Sequence, residues 1–259
     1  MIIVTGANGF IGKNLIKRLE EKHPDEFVAK IDLNWPDGYL AVPDPMLVTH
    51  VYHLGAISST TETDVKKLYK YNVKYSVDLF EWCIEHQIPV SYASSAAVYG
   101  NDRGPINLYG ASKLTVDIWV QDNIDRFKLV HGYRFFNVYG EGEDHKVGQS
   151  SPVSTFIKQA KETGQIKLFE THDGLRDFIW VGDVCRIMMD EKRPSGIYDC
   201  GTRFPQYFSH IARLIAKKYG AEIVRIPTPE HIKKNYQYKT CASETDGKCI
   251  SIADYINFE

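Results

Sequence analysis

Short runs of apolar residues alternate along the chain with longer segments in which apolar residues recur at helical spacing. The first run, Ile2 to Val4, precedes a segment that places Leu15, Ile16 and Leu19 on one helical face. Short apolar runs bounded by turns are typical of buried parallel strands, and spacings of three and four residues indicate amphipathic helices. Further strands are expected over 27–33, 48–54, 89–94, 129–138 and 196–201, and helices over 65–85, 109–127, 152–162 and after Asp183. Strands alternating with helices predict an α/β fold with a doubly wound parallel sheet.

Three glycines, Gly6, Gly9 and Gly12, connect the first strand to the first helix. In that setting the first permits a tight turn, the second lets the backbone approach a pyrophosphate, and the third lets helix and strand pack closely. The helix N-terminus then offers free N–H groups to the pyrophosphate. This predicts a Rossmann-like dinucleotide site, although a glycine-rich turn in another kind of α/β protein is the alternative for the triplet alone.

Asp32 ends the second strand, about 20 residues beyond Gly12. A carboxylate at this place accepts hydrogen bonds from an adenosine ribose; the alternative is an ordinary solvent-facing carboxylate. No basic residue follows within 34–38 to hold a 2′-phosphate. The sequence therefore favours NAD over NADP.

The segment 34–47 departs from the usual pattern of such folds, since it contains Pro36, Gly38, Pro43 and Pro45. A parallel crossover alone needs about a dozen residues, so a complete helix–strand–helix insertion does not fit. We expect the third strand of the standard half to be vestigial or absent.

Composition narrows the function classes. The chain has 259 residues, 43% of them hydrophobic, and a net charge of -2. This indicates a globular protein that is not drawn electrostatically to nucleic acid or to a membrane surface. No apolar run reaches the length of a membrane span, and the N-terminal run does not resemble a signal peptide. The five cysteines show no CxxC spacing, which favours reduced thiols in the cytoplasm and no metal site.

Tyr109 and Lys113 are the first residues that suggest catalysis, because their i, i+4 spacing places them on one face of a predicted helix. A neighbouring ammonium favours the charged form of tyrosine, whose unperturbed pKa is about 10. Ser95, at the end of the preceding strand, would bind and orient the reacting oxygen. Without this context a Tyr-xxx-Lys pair is more often an ordinary surface pair.

Several motifs now resemble those of the extended short-chain dehydrogenase/reductase family. They are Thr5-Gly-Ala-Asn-Gly-Phe-Ile-Gly12, Tyr92-Ala-Ser-Ser-Ala-Ala-Val-Tyr-Gly100, Tyr109-xxx-Lys113, Arg134-Phe-Phe-Asn-Val-Tyr-Gly140 and Arg176-Asp-Phe-Ile-Trp-Val-Gly-Asp183. The resemblance implies bound NAD(P), a Ser95–Tyr109–Lys113 catalytic set and a nucleotide-sugar substrate. It also implies a homo-oligomer formed through the helices that start near Val65 and Tyr109.

Within that family the chain most resembles the ADP-L-glycero-D-manno-heptose 6-epimerases. The resembling stretches include His53–Glu62, Pro105–Tyr109, Gly142–Lys146, Lys167–Glu170 and Asn235–Gln237. The resemblance implies transient oxidation of a carbinol carbon to a ketone and return of the hydride to the opposite face. Tyr109 would be one acid/base group and Lys146 the second. From the residues alone Lys146 is simply a lysine in a polar loop.

Ala96 and Ala97 argue against a related reaction. Relatives that dehydrate sugars carry an Asp-Glu pair after the hydroxyl residue, and two alanines cannot do that acid/base work. A 4,6-dehydratase is therefore not expected.

The binding residues follow from the glycine turn, the strand ends and the resemblance. For the cofactor they are Gly6, Asn8, Gly9, Phe10, Ile11, Gly12, Asp32, Leu54, Gly55 and Ala56, together with Tyr109 and Lys113; for the substrate they are Ser58, Ser59, Asn137, Phe169, Arg176 and Tyr236. A guanidinium at Arg176 suits a diphosphate, a surface salt bridge being the alternative. Phe169 and Tyr236 are equally compatible with the core of a lobe.

Domain organisation and function complete the prediction. We expect an NAD(P)-binding Rossmann domain over 1–143, to which 174–200 return, and a small C-terminal lobe over 144–259 that mainly binds substrate. The expected function is a nucleotide-sugar epimerase of the heptose type. The alternatives are another sugar-nucleotide epimerase or ketoreductase, and a non-catalytic relative that keeps the cofactor fold.

Overall fold

The computed structural model describes residues 1–32, 44–101, 103–143, 150–171, 173–230, 237–245 and 247–258. The chain forms two compact units, one of Met1–Arg134 with Met188–Tyr198 and one of Phe135–Ile187 with Asp199–Glu259. The sequence prediction placed the boundary at residue 143 and the returning segment at 174–200, so both differ from the observed bounds. Which unit binds the substrate stays a prediction.

The strands are β1 (Ile2–Thr5), β2 (Val28–Ile31), β3 (His50–His53), β4 (Val90–Ser95), β5 (Val130–Phe135), β6 (Asn137–Tyr139), β7 (Gln165–Phe169), β8 (Leu175–Arg176), β9 (Phe178–Trp180), β10 (Gly196–Cys200), β11 (Gln206–Tyr207) and β12 (Glu222–Ile226). The helices are α1 (Phe10–Lys22), α2 (Val65–Leu68), α3 (Tyr75–Glu85), α4 (Leu108–Asp122), α5 (Pro152–Thr163), α6 (Val181–Met188), α7 (Phe208–Tyr219) and α8 (Ile252–Phe258). No helix among the described residues has the length and apolar content needed to cross a bilayer.

A six-stranded sheet in the order β10-β5-β4-β3-β1-β2 organises the first unit. β1 pairs in parallel with β2 and β3, and β3 pairs in parallel with β4. Residues 2–5 are all buried, which explains why β1 reads as an uninterrupted apolar run. The predicted Rossmann-like parallel sheet is confirmed. Residues 33–43, where a vestigial third strand is expected, lie outside the described part of the chain.

The helix predicted over 65–85 is present but changes its hydrogen bonding along its length. α2 is followed by a π-helical stretch, Tyr69–Lys74, and then by α3. The side chain of Asp64 caps the start by accepting from the N–H of Lys67 at 3.0 Å. π-helical stretches are rare and frequently occur at functional positions, and Asn72 in this one is fully buried.

The strand predicted over 129–138 is two strands, and the helix predicted over 109–127 ends earlier. β5 belongs to the large sheet, whereas β6 pairs with β9. The break falls at Phe136, whose N–H bonds to the carbonyl of Cys200 while the next N–H bonds to Asp177. α4 ends at Asp122 and is followed by a 3-10 turn, Ile124–Arg126. The sequence of 129–138 did not reveal that the strand changes sheets, and the sequence of 109–127 did not reveal that the helix ends early.

The second unit has its own apolar core. Its buried members include Val153, Phe156, Ile166, Leu168, Ile211, Ile215, Ile252 and Tyr255. α5 agrees with the prediction, beginning at a Ser151 cap and ending at Gly164. β7 and β12 pair in parallel, and neither of these strands was predicted. α7 and α8 were also not predicted, although the buried Ile211, Ala212 and Ile215 of α7 follow helical spacing.

Candidate active site

The turn between β1 and α1 needs its glycines for packing. Gly6 has a φ of +67, and a Cβ there would lie 2.7 Å from the backbone carbon of Leu54. A Cβ on Gly12 would lie 2.2 Å from the carbonyl oxygen of Gly6. Gly9 is the N-cap of α1 and supplies no side-chain hydrogen bond. The positive end of the α1 dipole lies directly after this turn, where helix N-termini attract anions.

Gly6 and Gly164 allow the effect of this close approach to be measured separately from backbone strain. Both have a φ of +67, but a Cβ on Gly164 would have nothing within 4 Å. Gly164→Ala is expected to lower the free energy of unfolding by about 1–2 kcal/mol through strain alone. Gly6→Ala is expected to cost about 1–3 kcal/mol more because backbone atoms must move. Urea unfolding of the two variants checks this, and equal losses would contradict the close-packing argument.

The ends of β2 and β3 lie beside the glycine turn. Oδ2 of Asp32 accepts from the N–H of Asn8 at 2.9 Å. The N–H of Gly55 donates to Oγ1 of Thr5 at 3.0 Å, and a Cβ on Gly55 would lie 3.0 Å from the same oxygen. Both strand ends are therefore held against the turn by direct hydrogen bonds. In the loops around them Asn8 and Ser58 are exposed, and Leu54, Ala56 and Ser59 are half-buried; at the start of α1 Phe10 is buried and Ile11 is half-buried.

Ser95, Tyr109 and Lys113 come together between β4 and α4. Ser95 is the last residue of β4, accepts from the N–H of Ala97 at 3.1 Å and shares a hydrogen bond with Tyr109. Nζ of Lys113 donates to the carbonyl of Ala93 at 2.8 Å, which ties α4 to the same strand. Tyr109 and Lys113 are 9% and 6% exposed. A helical surface pair would be exposed, so burial excludes that alternative.

Burial controls the charges of this trio. It raises the pKa of Tyr109 above its ordinary value, and the hydrogen bond with Ser95 opposes the rise. Burial lowers the pKa of Lys113 to about 8, against the opposing charge of Asp117. Without cofactor, the effect of burial on Tyr109 therefore outweighs the stabilisation of a phenolate that is expected from Lys113. Tyr109 is therefore a phenol at neutral pH.

Lys113 has a measurable consequence for stability. Its pKa falls from 10.5 when the chain is unfolded to about 8 when it is folded. Between these values the unfolded chain binds the extra proton, so stability contributed at this site rises as the pH rises from about 8 to 10.5. The free energy of unfolding of the wild type, relative to Lys113→Met, is expected to rise by about 3 kcal/mol across this window. A flat difference in denaturant titrations would contradict the assignment.

Asp117 and Arg134 belong to the same region and were not predicted as site residues. Asp117 lies one turn beyond Lys113 and is 1% exposed. Its carboxylate accepts from Nε of Arg134 at 2.8 Å and from the hydroxyl of Tyr92 at 3.0 Å. The i, i+4 spacing from Lys113 was the available signal. This ion pair between a buried carboxylate and a half-buried guanidinium joins α4 to β5, and the Asp117 carboxylate also bonds Tyr92 of β4 and acts on Lys113 as a negative charge.

Comparison with known proteins agrees with this geometry. The profile of the family described as "NAD dependent epimerase/dehydratase family" matches residues 2–201, which contain the glycine turn and the Ser95–Tyr109–Lys113 trio. The chain belongs to this family. The enzymes of this family depend on NAD, which is the cofactor that the sequence favours.

Individual members of the family extend the match. ADP-L-glycero-D-manno-heptose-6-epimerase of Alkalilimnicola ehrlichii is 38% identical, over 93% of this chain and 88% of the relative. The crystal structure of the Helicobacter pylori ADP-L-glycero-D-manno-heptose-6-epimerase has a TM-score of 0.80 at 25% identity, covering 99% of this chain and 94% of that one. UDP-glucose 4-epimerase of Thermotoga maritima, solved with UDP-glucose, has a TM-score of 0.82 at 20% identity, covering 98% and 96%. The last shows the shared fold.

The residues of this family member fit NAD. The glycine cradle leaves no room for a Cβ at Gly6 or Gly12, and the N-terminus of α1, which begins directly after this turn, has the polarity that suits a pyrophosphate. Asp32 stands beside the same turn. Among the described residues no group of three or more His, Cys, Asp or Glu side chains could hold a metal ion.

The predicted substrate residues of the second unit have the following surroundings. The backbone N–H of Asn137 bonds to the carbonyl of Asp177, and the carbonyl of Phe169 accepts from Nη1 of Arg225 at 2.9 Å. Arg176 is 8% exposed and lies over the ring of Phe208 at 5.8 Å, so a surface salt bridge does not describe it. Lys146 and Tyr236 lie outside the described residues.

Proposed function

We propose that the protein is an NAD-dependent ADP-glycero-manno-heptose 6-epimerase. The observation that carries the proposal is the 38% identity to an enzyme of that name over 93% of this chain. The Ser95–Tyr109–Lys113 arrangement supports it, because a buried phenol that shares a hydrogen bond with a serine can exchange a proton with a carbinol oxygen.

In this proposal each member of the trio has its own role. When bound at the glycine turn, NAD would supply the hydride acceptor for the carbinol carbon and, once reduced, the hydride donor for the ketone. The hydroxyl of Ser95 holds the reacting oxygen, and Tyr109 takes up and returns its proton. Lys113 supplies positive charge beneath the site and holds the nicotinamide ribose. Lys146 is the second acid/base group, which serves the opposite face of the ketone.

Asp32 gives the first test of cofactor binding. Its carboxylate is proposed to accept hydrogen bonds from the adenosine ribose, and the loss of a charged hydrogen bond typically weakens binding about tenfold or more. Asp32→Ala should therefore raise the calorimetric Kd for NAD by about that factor. Asp25→Ala, which removes an exposed carboxylate before β2, is the control. Unchanged affinity in Asp32→Ala, or a wild-type preference for NADP, would refute this role.

The substrate residues are proposed on chemistry. Arg176 offers a guanidinium to the nucleotide diphosphate, and Phe169 and Tyr236 offer rings to the pocket. Ser58, Ser59 and Asn137 offer hydroxyl and amide groups to the sugar. Ala96 begins the 3-10 turn directly after Ser95 and is 6% exposed. This turn brings no carboxylate toward the reacting oxygen, which supports epimerisation over dehydration.

Epimerisation in deuterium oxide tests the reaction. A hydride that leaves the sugar and returns does not exchange with solvent, whereas inversion through proton abstraction from carbon introduces deuterium. Incubation with one ADP-heptose epimer, followed by proton NMR, should show conversion at carbon 6 without deuterium there. Solvent deuterium at that carbon would contradict the mechanism. Conversion of other sugar nucleotides only would favour another epimerase or ketoreductase, and bound NAD without turnover would favour a non-catalytic relative.

We also propose a cytoplasmic homo-oligomer. None of the five cysteines forms a disulfide bond, which suits a reducing compartment. Exposed apolar residues lie on the helices expected at the subunit interface, with Val65, Tyr69 and Ile118 at 62%, 59% and 54% exposure. Analytical ultracentrifugation of the wild type and Ile118→Glu tests this, and a wild-type monomer would refute it.

A further inference from the structure

A buried chain of hydrogen bonds runs from the glycine turn to the helix that carries Tyr109. Oγ1 of Thr5 and Nδ1 of His53 are 2.7 Å apart, and Nε2 of His53 is 2.8 Å from Oγ of Ser76. The hydroxyl of Ser76 donates to the carbonyl of Asn72 at 2.7 Å. Thr5, His53, Ser76 and Asn72 are between 0% and 3% exposed.

The hydrogen-bond partners determine which group donates and which accepts at each step. Because the single hydrogen of the Ser76 hydroxyl goes to Asn72, Ser76 accepts from Nε2–H of His53. Nδ1 of a neutral histidine is then an acceptor, so the Thr5 hydroxyl donates to it. Thr5 in turn accepts from the N–H of Gly55. Every group in the chain is satisfied only when His53 is neutral and carries its proton on Nε2.

The surroundings keep His53 in that form. Burial, followed by the positive charge of Lys113, lowers its pKa to about 3. The rings of Tyr75 and Phe80 meet the imidazole edge-on, with centroids 5.5 and 5.7 Å away. The ring is thus held by packing as well as by its two hydrogen bonds.

Asn72 extends the chain to Tyr109. Its side chain makes two hydrogen bonds with the backbone of Ile57 and donates from Nδ2 to Oγ of Ser112 at 3.0 Å. Ser112 donates to the backbone carbonyl of Tyr109 at 2.7 Å. The residue that precedes Gly6 and the residue proposed as acid/base are therefore linked through side chains and short backbone steps.

We propose that His53 is a positioning residue that couples the dinucleotide-binding turn to the tyrosine-bearing helix through its two ring nitrogens. The inference rests on the proposed function for the role of Tyr109. Nδ1 of His53 supports Thr5 and Gly55 beside the cofactor turn. Nε2 of His53 supports Ser76, Asn72 and, through them, the first turn of α4. An imidazole suits this task because it presents an acceptor and a donor at opposite edges of one rigid ring.

Two amide substitutions of His53 interrupt this series of hydrogen bonds, one at each ring nitrogen. The shorter side chain of His53→Asn reaches the Nδ1 position and can still accept from Thr5, but it loses Ser76. His53→Gln reaches the Nε2 position and can still donate to Ser76, but it loses Thr5. Thr5→Val removes the hydrogen bond to Nδ1, and Ser76→Ala removes the one to Nε2, while His53 itself is kept. These two variants test the proposal if a His53 variant does not fold.

Three measurements separate the two sides. They are the Kd for NAD by calorimetry, amide hydrogen exchange of peptides covering 108–113, and kcat at saturating NAD. Because a lost buried hydrogen bond typically changes an equilibrium about tenfold, His53→Gln and Thr5→Val should raise the Kd about tenfold with a smaller change in exchange and kcat. His53→Asn and Ser76→Ala should accelerate exchange and lower kcat about tenfold with a smaller change in Kd.

The outcome distinguishes this inference from the proposed function. Equal shifts of Kd and exchange in all four variants, as expected for general loosening, would overturn the positioning role, and so would no shift at all. Absence of turnover in the wild type would instead count against the proposed function, because the Kd and the exchange are measured without substrate.

Discussion

Replacing Tyr109 by phenylalanine is expected to leave NAD binding nearly unchanged and to slow hydride transfer by about a hundredfold to ten-thousandfold, the usual contribution of a general acid/base group. Only the hydroxyl is lost, and with it the hydrogen bond to Ser95. The ring is buried and keeps its packing. Single-turnover formation of NADH from the authentic substrate, with calorimetry for the cofactor, measures the two effects separately.

A second tyrosine provides the control. The hydroxyl of Tyr198 on β10 donates to the carbonyl of Pro194 at 2.7 Å, and Tyr198→Phe removes it without touching the trio. This variant should keep the wild-type rate. If Tyr109→Phe also keeps it, Tyr109 is not the acid/base group, whatever the similarity of its motif to that of the family.

The pH profile of the same reaction should reflect the buried environment. Burial raises the pKa of Tyr109, so the phenol is the resting form without cofactor. Bound oxidised nicotinamide would add a positive charge that lowers the pKa of Tyr109 and favours the phenolate. A larger fraction of Tyr109 would then be deprotonated and able to accept the carbinol proton when the site is loaded.

The first half of the fold was predictable because its signals are local. β1, the glycine turn and α1 are contiguous, and a Cβ is excluded at Gly12 by atoms of the same short segment and at Gly6 by the backbone of Leu54 and Gly55. The trio was predictable for a similar reason, since Tyr109 and Lys113 share one helix face and Ser95 ends the strand before it. Local spacing is the information that a single sequence carries best.

The parts that were not predicted depend on distant partners. β7 and β12 are short and form a pair only when segments far apart in the chain meet. The break at Phe136 depends on the carbonyls of Cys200 and Asp177, and the Asp117–Arg134 pair joins α4 to β5. The strand pair and the break have no signal within their own segments, because the determining partner lies elsewhere. For Asp117 the i, i+4 spacing from Lys113 was a local signal, but its partner Arg134 lies on another element.

Lys146 is the residue on which the proposed two-base mechanism depends, and the described residues on either side of 144–149 share one anchor. Glu143 is 3% exposed and accepts from the N–H of Gly140 at 3.0 Å. It also accepts from the hydroxyls of Ser151 and Ser154 at 2.9 and 2.8 Å. One buried carboxylate thus joins the residues that precede this segment to those that follow it, which fixes where the segment starts and ends.

Lys146→Met is expected to slow interconversion of the two heptose epimers by about a hundredfold or more, while oxidation of one epimer persists. Inversion requires proton transfer on two faces of the ketone, and Tyr109, held on α4 by its hydrogen bond to Ser95, serves one orientation. Single-turnover NADH absorbance with each epimer measures the two half-reactions separately. Lys158→Met, which removes an exposed lysine of α5 paired with Glu162 at 3.9 Å, is the control and should interconvert the epimers normally. If Lys146→Met does so too, Lys146 is an ordinary lysine and the second acid/base group must be sought among other residues.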